Sequence, residues 1–199
     1  MTKKSKRKKK KSSLKNYTIA FIPAFILIAI LIYIISLPPQ VTTTQTNTST
    51  EELGTGHEAP GFTLKVIDED GLTGETFSLN SILGNVIFMD FAFEWCPHCN
   101  NMAPTIKRLY ENYRNKGVVF LTVAGGSGTD VDKTSDFVKR HEIAWTVVFD
   151  ANLEVFALYG VRGTPTYFVI DEQGRIVKKL IGEQPYERLA ALLDMVLQK

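Results

Sequence analysis

Several scarcities narrow this sequence before any motif is read. Cysteine occurs twice in 199 residues, at 96 and 99, and histidine three times, at 57, 98 and 141. A structural zinc site needs four ligands, usually from two cysteine pairs, and there is no second pair. The residue after Cys99 is Asn100 and not histidine, which rules out covalent haem attachment. No internal repeat is visible, and no acidic residue precedes Glu51, although nine Lys/Arg fall within residues 1–16.

That one-signed start, MTKKSKRKKKKSSLKN, cannot bury a core and reads as a basic cytoplasmic tail drawn to anionic lipid. Next comes a charge-free apolar run, Tyr17 to Leu37, of 21 residues. As a helix it would reach about 31 Å, enough for a hydrocarbon layer of about 30 Å, so it predicts one transmembrane anchor. Its length exceeds the about 7–15 apolar residues of a cleaved signal, and Ile35-Ser36-Leu37 is a poor cleavage exit. The basic flank keeps the N-terminus inside and puts everything after Leu37 outside. Residues 38–55, rich in Thr, Gln, Asn and Ser, predict a flexible linker, within which Asn47-Thr48-Ser49 fits a glycosylation acceptor. Residues 56–199 suffice for one domain. Beyond Leu37, 14 Lys/Arg face 21 acids, a net −7 that argues against nucleic acid as a partner.

Within the domain, strand-like and helix-like patterns alternate, implying an α/β sheet. FTLKVI (62–67) and ETFSL (75–79) flank a turn and predict a hairpin; VIFMDFAF (86–93) and GVVFLTVA (117–124) read as strands covered on both faces. A helix is expected from Cys96 to about Asn115, with Pro97 in its first turn and Pro104 kinking it. A modest amphipathic helix is expected over 131–142. Strands follow at 146–150, 166–171 and 175–181, with a short helix between the first two and a closing helix over 186–198.

Both cysteines lie in FAFEWCPHCNNMAP, residues 91–104. A disulfide between them would close almost no loop and stabilise little. At a helix start, however, the thiolate of Cys96 meets unpaired N–H groups and the positive end of the helix dipole, which favours reactivity. Asp90 interrupts an apolar strand six residues earlier; burial would raise its pKa, whereas a solvent-facing strand end would leave it ordinary. His98 lies between the cysteines and is expected to direct a hydrogen bond or charge at the Cys96 thiolate. His57 reads as linker, His141 as helix surface, and Glu94 as a surface carboxylate of minor effect.

WCPHC after a buried strand, with Gly163-Thr164-Pro165-Thr166 before a later one, resembles the thioredoxin superfamily. GHEAPGFTL and SLNSILGNVIFMDFAF make residues 56–199 similar to the membrane-anchored TlpA/ResA-type thiol-disulfide oxidoreductases of the redoxin group. The resemblance implies a thioredoxin-like fold with an N-terminal hairpin and a central insertion. It makes Cys96 the exposed nucleophile, Cys99 the buried resolving thiol and Asp90 the acid that exchanges a proton with Cys99. Trp95 would form part of an apolar docking surface, Pro165 would be cis against the sulfurs, and Thr164 would pair with the substrate backbone. Partners would be cysteine-containing proteins outside the cytoplasm and a membrane electron donor or acceptor, since nothing in residues 17–37 carries redox chemistry; no cofactor is expected.

The direction of electron flow stays open at this point. Pro97-His98 is the dipeptide of strongly oxidising DsbA-type enzymes, while the surrounding chain resembles proteins that reduce disulfides during cytochrome c maturation. Three other classes compete. A peroxiredoxin shares the Ala59-Pro60-x-Phe62 opening but wants threonine where Phe93 stands. A copper carrier of related fold wants a longer cysteine spacing, and an adaptor would not need Cys96.

Overall fold

The computed structural model describes residues 55–198. The expected tail, anchor and nearly all of the linker lie outside the described residues. Strands β1 (Thr63–Asp68) and β2 (Gly71–Ser78) form the expected hairpin. The chain continues through β3 (Val86–Ala92), helix α1 (Pro97–Tyr113), β4 (Val118–Gly125), α2 (Val131–Arg140), β5 (Thr146–Asp150), the short α3 (Glu154–Leu158), β6 (Thr166–Ile170), β7 (Ile176–Ile181) and α4 (Tyr186–Leu197). Pro104, expected to kink α1, lies inside it without ending it.

The strands make one sheet in the order β2-β1-β5-β4-β3-β6-β7. The β3–β4 and β4–β5 pairs are parallel, because α1 and α2 return the chain to the same edge, and the other pairs are antiparallel. Between the cysteines and Pro165 lie two successive strand-helix units, the length that accommodates the expected insertion.

All seven residues of β3 are buried, since both faces of the sheet are covered. On one face Val86, Phe88, Tyr167 and Leu180 pack with Ile106 and Leu109 of α1 and Leu189 and Leu193 of α4. On the other, Ile87, Met89 and Phe91 pack with Phe156 and Tyr159. Side chains alternate along a strand, so Asp90 shares the face of Phe88 and lies under α1. The period-two pattern of β3 thus places a carboxyl group beneath the helix whose N-terminus carries the cysteines.

Candidate redox site

Helix α1 begins at Pro97, whose fixed φ suits a first helical position and whose missing N–H needs no partner there. Cys96 is its N-cap: the sulfur accepts from the Cys99 N–H at 3.4 Å. The pair are two free thiols. Across the site the Thr164–Pro165 bond is cis, and the Cys96 thiol donates to the Thr164 carbonyl at 3.5 Å. The expected exposed nucleophile is therefore corrected. Cys96 is only 4% exposed and Cys99 3%, because the sulfur of Cys96 turns inward as a cap and the 164–165 loop lies against it.

Burial pushes the Cys96 thiol up, but the Thr164 side chain, the Cys99 thiol and the Cys99 and His98 backbone N–H groups outweigh it, leaving the thiol below its ordinary value. Cys99 is held well above the usual range by burial, by the Asp90 charge and by its neighbour Cys96. Desolvation pushes Asp90 up to about 7 against a hydrogen bond from Thr122 that lowers it. Thr122 is its register partner on β4, and the Trp145 Nε1 donates to the Thr122 hydroxyl at 2.9 Å. Among the described residues Asp90 Oδ1 has no hydrogen-bond partner, and neither has the buried hydroxyl of Tyr167, its register partner on β6. The two sulfurs and the carboxyl form a graded set: one thiol tuned to ionise, one tuned not to, and beneath them an acid poised near neutrality.

His98 is not where its sequence position suggested. Its ring Nδ1 lies 2.7 Å from Glu183 Oε1, on the loop after β7, and the Asn101 side chain donates to the same oxygen at 3.0 Å. The Asn101 and His98 hydrogen bonds hold the Glu183 carboxyl below its usual value. What His98 offers the sulfur is its backbone N–H. Trp95 is 52% exposed; it stacks on Phe93 at 4.8 Å and donates from Nε1 to the Ser127 carbonyl at 2.9 Å. Glu94, expected at the surface, is half-buried and accepts from the Thr129 hydroxyl at 2.9 Å.

Two further residues escaped the sequence reading. Asn100 donates from Nδ2 to the carbonyls of Glu94 at 2.8 Å and Cys96 at 2.9 Å. His141, expected on a helix surface, is half-buried and directs Nε2 at Asn100 Oδ1 from 2.8 Å. Burial and the nearby Arg140 charge keep it below its ordinary pKa. His57 is exposed, and its carbonyl accepts from the Ile176 N–H at 2.8 Å. Among the described residues no cluster of three His, Cys, Asp or Glu side chains is arranged to hold a metal ion.

Phe93 is braced from below by Phe156, ring centroids 5.0 Å apart, and by Gly125. A Cβ on Gly125 would come within 2.3 Å of Phe93 Cε1 and 2.9 Å of Phe156 Cζ. Gly125→Ala is expected to push Phe93 outward, unseat Trp95 and cost about 1–3 kcal/mol of stability, as overpacking does. Urea unfolding checks the cost; a wild-type midpoint would mean that the aromatic stack is not braced there.

Comparison with known proteins identifies the family and the fold. Residues 55–179 match the model of the AhpC/TSA family. The thiol-disulfide oxidoreductase ResA of Bacillus cereus is 31% identical over 150 residues, covering 73% of this chain and 80% of that protein. A Chlorobium tepidum structure assigned as thiol:disulfide interchange protein DsbE is 28% identical, with a TM-score of 0.66 over 73% of this chain and 99% of that one. StoA from Bacillus subtilis is 26% identical, with a TM-score of 0.57 over 67% of this chain and 96% of that one.

Proposed function

Given that this chain belongs to the AhpC/TSA family and is a thiol-disulfide oxidoreductase of the ResA/DsbE type, we propose that Cys96 and Cys99 are its redox couple and that it works as a reductant of protein disulfides outside the cytoplasm. The carrying observation is the placement of the two thiols: Cys96 caps α1 with the Cys99 N–H on its sulfur and the cis Thr164–Pro165 loop against it, and Cys99 is buried in the same helix start, an arrangement that lowers the pKa of the first thiol and raises that of the second.

The Cys96 thiolate attacks one sulfur of a client disulfide, forming a mixed disulfide and expelling the client's other sulfur as a thiolate, which takes a proton from water. Asp90 then accepts the Cys99 proton, directly or through a water. The Cys99 thiolate attacks Cys96 Sγ, forming the Cys96–Cys99 disulfide and releasing the client's second thiolate. The client gains two electrons and the enzyme loses two. Because the Thr164 carbonyl receives the Cys96 thiol in the resting site, a client strand that pairs with Thr164 displaces that contact as it docks. Trp95, exposed beside the motif, supplies an apolar face to the client.

The direction follows from what stabilises the reduced form. Thioredoxin at about −270 mV and DsbA at about −120 mV differ chiefly in that stabilisation. With His98 engaged by Glu183, hydroxyl and backbone dipoles are left to hold the thiolate, which favours the reducing end of this range. Residues 17–37 would anchor the chain, with the domain outside and a membrane electron donor returning it to the dithiol. Among the described residues no helix is long and apolar enough to cross a membrane.

The peroxidase alternative is disfavoured, because Phe93 offers no hydroxyl three residues before Cys96 and its ring is engaged by Trp95 and Phe156. Equilibrating the full-length chain in detergent with glutathione buffers tests the proposal, with a potential below about −200 mV expected. A value near about −120 mV would overturn the direction, and absence of a Cys96–Cys99 disulfide under every poise would overturn the couple itself.

A further inference from the structure

We propose that His141 is a positioning residue for Cys96, acting through Asn100; this rests on the reading of Cys96 as the nucleophile. Asn100 sits one residue beyond the redox pair, and its hydrogen bonds fix which way its amide faces. Nδ2 reaches two carbonyls, of Glu94 at 2.8 Å and Cys96 at 2.9 Å, and so must be the donor. Oδ1 receives Arg140 Nη2 at 3.4 Å, and a guanidinium has nothing to accept with. The reversed amide would set oxygen against two carbonyls and nitrogen against a cation. It follows that the His141 Nε2, 2.8 Å from Oδ1, carries the proton and donates.

The clasp bears directly on the sulfur. The Cys96 carbonyl is drawn to Asn100 twice, by Nδ2 and by the backbone N–H at 3.1 Å. With the carbonyls of residues 94 and 96 committed to Asn100, the motif's own backbone offers the Cys96 sulfur donors, the Cys99 N–H at 3.4 Å and the His98 N–H, while the carbonyl that faces it, of Thr164, comes from across the site. A further carbonyl turned toward that sulfur, beside that of Thr164, would oppose the thiolate. Two bonds at Nδ2 hold the amide from one side, and on the oxygen side Arg140 reaches Oδ1 only at 3.4 Å, so the 2.8 Å bond from His141 is the closer hold there. The histidine is the C-cap of α2, its own N–H bonded to Phe137 O at 3.1 Å and its ring edge-on to Phe137 at 4.7 Å. The end of helix α2 thereby acts on the start of helix α1, 41 positions earlier in the chain.

The test is the pH dependence of Cys96 alkylation by iodoacetamide in the reduced full-length chain in detergent, read by mass at the first cysteine modified. His141→Ala is expected to cut the rate three- to tenfold at pH 6 and move its midpoint to higher pH. His141→Gln, which keeps a donor at similar reach, should return it to within twofold of wild type. Asn100→Ala should cost at least as much as His141→Ala, and adding His141→Ala to it should change nothing further. A His141→Ala chain that melts lower but keeps the wild-type profile would make the residue merely structural and overturn the proposal, as would equal effects of His141→Ala with and without Asn100. A wild-type Cys96 that fails to react with glutathione disulfide would remove the functional reading and this proposal with it; normal wild-type exchange with an unshifted His141→Ala removes the proposal alone.

Discussion

Cys96→Ser is expected to lower disulfide exchange by about a thousandfold or more, to the background of the buffer, while leaving the fold intact. A serine hydroxyl does not ionise near neutrality, and it is the thiolate that attacks. Cys99→Ser should separate the two halves of the reaction. The first attack survives, because the groups that lower the Cys96 thiol include the Thr164 side chain and backbone N–H groups that the change leaves in place. The second cannot occur, so the client stays attached as a mixed disulfide, visible as a band on non-reducing gels that reductant removes. Exchange by Cys96→Ser within tenfold of wild type would assign the first attack to Cys99, the sole cysteine then remaining.

Asp90→Asn is expected to slow resolution of the mixed disulfide about a hundredfold, in the range that a positioned general base supplies. It should also stabilise the protein at alkaline pH. Burial raises this carboxyl from 3.8 in the unfolded reference to about 7 when folded, so the folded protein binds the proton more tightly. For an acid shifted in this sense, stability is greatest below the unfolded value, falls as pH rises from about 4 to about 7, and is level above that. At about 1.36 kcal/mol per unit the accumulated cost at pH 8 is about 4 kcal/mol. The substituted amide carries no charge to desolvate but remains a buried polar group, so a net gain of about 2–4 kcal/mol at pH 8 and near zero at pH 4 is expected from urea unfolding. In the wild type the resolution rate should rise through a pH near 7; in the variant that rise should be missing. Equal stability at both pH values together with an unchanged resolution rate would mean that Asp90 is neither strained nor used.

What could be read from the chain was what contiguity encodes. β3 is a run of apolar side chains, its single carboxylate is conspicuous, and a proline two residues before Cys99 marks a helix start, so strand, helix, cysteines and Asp90 could be ordered without coordinates. The resemblance supplied the cis proline. The misplacements all involve side chains whose partner lies far along the sequence. His98 meets Glu183 85 positions away, and no local pattern distinguishes a histidine aimed at its neighbouring sulfur from one aimed across the site. Asn100 and His141 are 41 apart, and each alone looks like helix surface. Cys96 is covered because a loop nearly 70 positions later lies against it. Thr122 was the exception within reach of the sequence, a hydroxyl in an otherwise apolar strand next to the one that carries Asp90.

The chain has only two tryptophans, and the fold assigns them to different events. Trp95 lies flat on Phe93 in the residue before Cys96, so its emission is expected to respond to whichever sulfur species Cys96 carries. Trp145 is one hydrogen bond from Thr122, whose hydroxyl touches the buried carboxyl, so its surroundings change with the charge on Asp90. One indole is solvated and the other packed against Tyr110 at 5.2 Å, which separates their spectra by wavelength. On the proposed roles of Cys96 and Asp90, one fluorophore follows the electrons and the other the proton, and the order in which the two move in a single turnover should be visible without attaching a label.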